Sequence, residues 1–402
     1  MKKFLFVIID GGAENCAQNR QTTRSSLHRS ATSAFAAAKK PNIDFLAANS
    51  ACGSWTGPHA PHYNPRSLSS VAMLEILGYS WRDEPGRGYL EALGAELKIN
   101  KKSVYVRGNF AYVKDEKRGA SGRKIVDRRA GRDETGLDIL VNELNKDIRC
   151  IGGVKTKLYR LVGHRVVLVL SGSGLSKHVT DGDIRSSPVK IKPLNPKARK
   201  TAYIVNKYLE KSSHILSAHP INKKRKFPAN FLLLRSAGSY KKVKSFGRKF
   251  GMKAASISGV NIIRGTSRYL GINVIDAPLS QLENDLPARA KKAIDALERY
   301  DFVILHINGA DTYAHNKDLR GKVGYIEKID KEVFSQVIKI RHINIGVICD
   351  HITDSRSGEH VFGPVPFLLY VCNEENESRG FDESCRDFVA DNPMKKILSV
   401  IP

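Results

Sequence analysis

"INIGVICDHITDSRSGEHVFGPVPFLLYV", residues 343–371, sets two apolar runs around a polar segment that opens with an Asp–His pair and carries a further histidine, His360. Both runs are continuous rather than alternating, which implies strands covered on both faces. The same texture recurs in "FLFVIID" (4–10), "VVLVLSG" (166–172), "FLLLRS" (231–236) and "DFVILHI" (301–307). Helical patterns lie between several of them, among them "SVAMLEILG", "LPARAKKAIDALERY" and "VGYIEKIDKEVFSQVIKI". Strands of this kind interleaved with helices predict an α/β protein with a mainly parallel sheet flanked by helices. Residues 101–232 are richer in Lys, Arg and Gly, with short strand-like pieces such as "VYVRGNFAYV". We read them as an inserted smaller α+β domain, and residues 1–100 with 233–402 as a discontinuous core domain.

The chain's 402 residues, 41% of them hydrophobic, are enough for a sizeable core and argue against disorder. "FLFVII" is too short for a membrane span, and no later run reaches the roughly 18 apolar residues one needs. These readings predict a cytoplasmic protein without a membrane partner. The six cysteines lack C-x-x-C spacing, so a zinc ribbon or disulfide framework is not indicated and free thiols are expected. With 66 Lys and Arg against 40 Asp and Glu, the formal charge is +26. The basic residues read as spread along the chain, with local runs "NKKRKF" (222–227) and "KKVKSFGRKFGMK" (241–253). Such an excess draws anions, but no RNA-binding aromatic signature or C2H2 spacing accompanies it, so a solvated basic face is the expectation and nucleic acid is not required.

In open α/β sheets ligands bind outside the carboxyl ends of the strands. Polar residues cluster at those ends: Asp10 after "FLFVII", Asp311 and His315 after "DFVILHI", Asp350 and His351 after "INIGVIC", and His360 before "GPVPFLLYV". One aspartate after a strand is usually a cap or turn residue; several carboxylates and imidazoles together suggest a pair of divalent metals. Such donors suit zinc, manganese or cobalt, and two cations about 4 Å apart can clamp both oxygens of a phosphoryl displacement. A nucleophile is available in "NPRSLSSVAMLEILGYS", where Ser67, Ser69 and Ser70 adjoin a helix start that favours anions. The alternative is that one of them merely caps the helix.

The segments "IIDGG", "PNIDFLAANSACG", "ILGYS", "GRGYLEALGA", "RGNFAYV", "VDRRAGR", "PANFLLLRSAG", "HINGADTYAH" and "CDHITDSRSGEHVFGPVP" resemble, in order, the landmarks of archaeal-type cofactor-independent phosphoglycerate mutases. That family lies in the alkaline phosphatase superfamily of binuclear metalloenzymes, so the resemblance implies an alkaline phosphatase-like fold. It also implies two divalent ions (manganese, zinc, cobalt or magnesium), one surrounded by Asp10, Ser69, Asp350 and His351, the other by Asp311, His315 and His360. Ser69 is then the nucleophile that takes the phosphoryl group from 3-phosphoglycerate and returns it as 2-phosphoglycerate, in glycolysis or gluconeogenesis, without 2,3-bisphosphoglycerate. Arg107, Arg129, Arg132, Arg235 and Arg264 are the expected holders of the anionic substrate, Asp183 the expected proton acceptor, and the inserted domain the cover that excludes water. The chain departs from the family's pattern at Ser70, Met73, Glu14 and Arg264. A phosphatase, phosphodiesterase or phosphopentomutase of the same superfamily is the alternative, and a basic nucleic-acid-binding protein on an inactive metalloenzyme fold the alternative of another class. A homo-oligomer is compatible with all of these.

Overall fold

The computed structural model describes residues 3–16, 33–58, 68–116, 122–184, 187–280, 282–372 and 380–400. Two compact units divide the chain: residues 1–84 with 243–402, and residues 85–242.

The larger unit is built on an eight-stranded sheet. Its central strands Lys3–Ile9, Phe302–Ile307 and Ile343–Cys349 run parallel, with Ile9 level with both Ile307 and Cys349. Ala254–Ser258 and Asn273–Ile275 extend the parallel part on one side. On the other, Val365–Tyr370 runs antiparallel to both its neighbours, Ile343–Cys349 and Ala51–Trp55, and Val389–Ala390 pairs parallel with Ala51–Trp55 at the edge. Phe4 to Ile9 and Phe302 to Leu305 are wholly buried, as continuous apolar strands require, and the Phe4 and Phe302 rings stack at 5.2 Å. Because the three central strands end at one level, the residues that follow them share one edge of the sheet. Among the described residues no helix is long and apolar enough to cross a membrane, and the six cysteines are not joined in disulfides.

The smaller unit has its own sheet, in the order Phe231–Ser239, Ser103–Asp115, Arg165–Ser171, Val154–Arg160 and Cys150–Ile151, with Arg123–Asp127 also paired to Ser103–Asp115. Its pairings are antiparallel. One face packs through Val104, Val106 and Phe110 into a core that includes Leu140 and Leu144 of the Leu137–Asp147 helix and Val205 and Leu209 of the Arg199–Ala218 helix.

The division falls outside the boundaries expected from sequence. "FLLLRS" reads like a strand of the parallel sheet, yet it pairs antiparallel with Ser103–Asp115; a strand buried on both faces looks the same in either setting. The Arg87–Gly94 helix joins the smaller unit as well, with Gly88 so close to the sheet that a Cβ there would lie 2.2 Å from the Tyr105 carbonyl oxygen.

Candidate metal centre

Asp10 and the pair Asp350–His351 directly follow adjacent parallel strands, and all three are buried. Gly11 donates its N–H to Asp350 Oδ1 at 2.9 Å. Gly11 has a φ of +58°, and a Cβ there would lie 2.5 Å from Thr353 Oγ1 and 2.7 Å from Asp311 Oδ1, so glycine is needed twice over. His351 Nε2 lies 3.2 Å from Asp10 Oδ1, 3.4 Å from Asp350 Oδ2 and 3.3 Å from Ser69 Oγ. Ser69 is the second residue of the Leu68–Ile76 helix, and its hydroxyl faces this imidazole. Ser70 is buried, and Ser67 lies outside the described residues.

The Gly309–His315 helix carries Asp311 and, one turn later, His315, whose Nε2 is 3.4 Å from Asp311 Oδ2. His315 Nδ1 lies 2.7 Å from the Gly358 carbonyl oxygen. A carbonyl only accepts, so Nδ1 carries the proton in the neutral ring and Nε2 keeps its lone pair toward Asp311. His360 packs edge-on to His351 at 4.3 Å and to His315 at 4.7 Å between ring centroids. Donor atoms of Asp311, His351 and His360 lie within 4.8 Å of one another, as do those of Asp10, Asp350 and His351. His351 thus belongs to both groups.

Crowded carboxylates in a dry site shape the electrostatics. Burial, then the charge of Asp10, pushes Asp350 up to about 7, and burial followed by Asp10 also raises Asp311. Burial opposes the charged form of His351, but Asp350 and Asp10 overcome it and hold the ring up at about 9. Asp10 is held below the carboxylate range: burial acts against this, and the adjacent imidazoles of His306 and His351 prevail. Asp10 Oδ1 and Asp350 Oδ2 are buried without a hydrogen-bond partner, although both face His351 within ion-pair distance. Unpartnered buried carboxylate oxygens beside imidazoles are what a cation's ligands look like without the cation, so the donor set fits divalent metal.

Four contributors were not among the expected site residues, though Glu14 stood out as a departure from the family's pattern. His306, wholly buried in the Phe302–Ile307 strand, puts Nε2 3.4 Å from Asp10 Oδ2; one imidazole inside an apolar run was its only trace. Thr353 donates Oγ1–H to Asp311 at 2.8 Å and stands 3.2 and 3.1 Å from Nδ1 of His351 and His360. Glu14 accepts from the buried Lys322 ammonium at 2.6 Å and from Ser355 N–H at 3.0 Å, while Lys322 also bonds the Ala13 and Thr353 carbonyls. This pair braces the loop after Asp10 against the loop after His351.

Arg264, in the same unit, donates to the carbonyls of Ser258 and Ala277 and lies 3.4 Å from Asp276, so it braces a loop. The other expected substrate residues belong to the smaller unit. Arg107 and Arg235 are direct cross-strand partners, both buried. Arg107 Nε lies 3.2 Å from Glu91. Arg129 and Arg132 are exposed on the turn around Gly131. Asp183 is buried, paired with Arg128 and 3.7 Å from Arg235. His164 is pushed down to about 3 by burial and by Arg165, Arg129, Arg107 and Arg235, which marks a strongly electropositive cluster.

Residues 47–222 match the family model described as 2,3-bisphosphoglycerate-independent phosphoglycerate mutase. Curated proteins of that name are similar over most of the chain. The one from Methanopyrus kandleri is 36% identical over 358 residues, covering 85% of this chain and 83% of its own; the one from Saccharolobus islandicus is 38% identical over 352 residues, covering 83% and 82%. The solved cofactor-independent phosphoglycerate mutase of Thermoplasma acidophilum superposes with a TM-score of 0.64 at 29% identity, covering all of both chains. A Pyrococcus horikoshii protein shares the fold with a TM-score of 0.75 at 24% identity, covering 100% of this chain and 96% of its own.

Proposed function

This chain belongs to the 2,3-bisphosphoglycerate-independent phosphoglycerate mutase family and is therefore an isomerase acting on phosphoglycerates, and we propose that it moves the phosphoryl group between positions 3 and 2 of glycerate through Ser69. In this reading Ser69 Oγ forms a bond to phosphorus as the ester oxygen of 3-phosphoglycerate leaves. The glycerate stays bound, and its 2-hydroxyl attacks the phosphoserine to free Ser69 again. The carrying observation is that the Ser69 hydroxyl stands 3.3 Å from His351, the imidazole common to both donor groups. A helix cap would need no such partner.

Asp10, Asp350 and His351, with Ser69, would hold one divalent cation, and Asp311, His315 and His360 a second; manganese, zinc, cobalt and magnesium are the candidates. Such ions, when bound, polarise phosphoryl oxygens and offset charge that develops during transfer. The chain's own contribution is placement. Gly11 N–H orients Asp350, the Gly358 carbonyl oxygen orients His315, and Thr353 fixes Asp311. Arg107, Arg129, Arg132 and Arg235 are our candidates for the substrate's carboxylate and phosphate, since guanidinium forks match both. Asp183 is the candidate acceptor for the proton of the free hydroxyl, oriented by Arg128 and Arg235. Arg264 would act through the loop it braces. Exclusion of water by the smaller unit would protect the phosphoserine, because its hydrolysis makes a phosphatase of the enzyme.

The test is a coupled assay with 3-phosphoglycerate and added manganese, without 2,3-bisphosphoglycerate, combined with mass spectrometry of the peptide carrying residue 69. The parent should show turnover and a phosphorylated Ser69, and Ser69→Ala should lose several orders of magnitude in rate while staying folded. Ser69→Ala activity within about tenfold of the parent would move the nucleophile elsewhere. Free phosphate appearing faster than 2-phosphoglycerate would favour the phosphatase reading.

A further inference from the structure

The chain's charge is lopsided. Residues 85–242 hold 35 Lys and Arg against 13 Asp and Glu, a net +22 of the chain's +26. The even spread expected from sequence is therefore corrected: the excess belongs to the smaller unit. On the sheet face turned away from that unit's core, cross-strand pairing sets Lys157 beside Val169 and Val169 beside Tyr105, and likewise Lys155, Ser171 and Ser103. With the turn before the Ser103–Asp115 strand they line a concavity of about 920 Å³. Among the described residues six cations border it, Lys98, Lys101, Lys102, Arg149, Lys155 and Lys157, and no acidic side chain does. Among the described residues none of the six is ion-paired. Lys101 and Lys157 instead rest over the rings of Tyr240 and Tyr159, each at 4.9 Å. Elsewhere in this unit cations find carboxylates, as Arg160 does with Glu134 and Asp138 and Lys207 with Glu210. Six like charges around one cavity repel, and a bound polyanion relieves that repulsion.

We propose that this concavity is a binding site for a nucleoside polyphosphate, separate from the residues assigned to phosphoglycerate. The phosphates are met by the unpaired ammonium groups, and the base by the apolar ground between Tyr159 and Val169. The volume lies within the roughly 300–1,000 Å³ of small-molecule sites. A nucleic-acid strand is the poorer fit, because strands are held by successive aromatic platforms. Here Tyr105 is wholly buried, which leaves Tyr159 as the one accessible ring of the lining among the described residues.

Cys150 lines the cavity and is exposed, whereas the other five cysteines are buried or half-buried. Maleimide labelling of Cys150, mapped by peptide mass spectrometry on the full-length enzyme in excess magnesium, therefore reports occupancy. ATP at submillimolar concentration should slow this labelling about tenfold, and 3-phosphoglycerate should not. The charge reversal Lys155→Glu/Lys157→Glu should abolish protection while mutase activity stays within about twofold of the parent. Lys98→Ala/Lys101→Ala should weaken protection in the same direction, so that misfolding of one variant does not decide the matter. Absence of protection by ATP, or equal protection of the parent and both variants, would overturn the proposal. So would tripolyphosphate protecting as well as ATP, which means no base is recognised, or a short RNA protecting at far lower concentration, which means a nucleic-acid surface.

Discussion

At the scale of single residues, His306 is a buried side chain set against Asp10, one of the proposed metal ligands. It faces Asp10 Oδ2 at 3.4 Å from one nitrogen and Ser258 Oγ at 3.4 Å from the other; burial opposes its charged form, and the Asp10 carboxylate outweighs that and raises its basicity. Groups that orient ligands in this way typically account for about 10- to 100-fold in metal affinity. His306→Asn should therefore weaken manganese binding by roughly that factor in a direct titration. A lowered melting temperature with unchanged affinity would mean that His306 only packs. Removal of metal by a chelator should abolish turnover, and added manganese should restore it; turnover that survives chelation would remove the metal from the reaction.

At the scale of elements, the seven-residue Gly309–His315 helix is too short to be stable by itself. Glu283, wholly buried, holds it: the carboxylate accepts from Asn308 N–H at 3.0 Å, Gly309 N–H at 3.1 Å and Tyr325 O–H at 2.6 Å. A negative charge at a helix start also interacts favourably with the positive end of the helix dipole. Glu283→Ala strands two backbone donors and a phenol, and leaves Arg289 without a carboxylate 3.9 Å away. A loss of about 2–4 kcal/mol in denaturant unfolding is expected, with weaker metal binding because Asp311 and His315 ride on the helix. A smaller unit cluster gives a pH dependence. His164 falls from its ordinary 6.5 to about 3 in the fold. Between those values the unfolded chain takes up a proton that the folded one refuses, so stability is lost as pH falls from about 6.5 toward 3. His164→Asn should flatten that part of the stability profile; an unchanged profile would place the acid sensitivity elsewhere.

At the scale of the whole molecule, residues 85–242 form an unbroken stretch of chain whose core, among the described residues, is drawn from residues 104–237. Such a stretch should fold alone, and a fragment of residues 85–242 is expected to unfold cooperatively; a fragment without a cooperative transition would make the unit dependent on the rest of the chain. The sequence by itself determined the α/β class, because continuous apolar strands between amphipathic helices leave few other arrangements, and it showed the polar positions that follow those strands. Strand-end chemistry is local, so Asp10, Asp311, Asp350 and His351 could be read directly. How Glu14 meets Lys322 and Glu283 meets Gly309, and why "FLLLRS" leaves the main sheet were decided by tertiary structure. The reason is physical: each is a contact between segments far apart in the chain, and a buried strand, a buried carboxylate or an exposed lysine carries no local mark of the partner that folding brings to it.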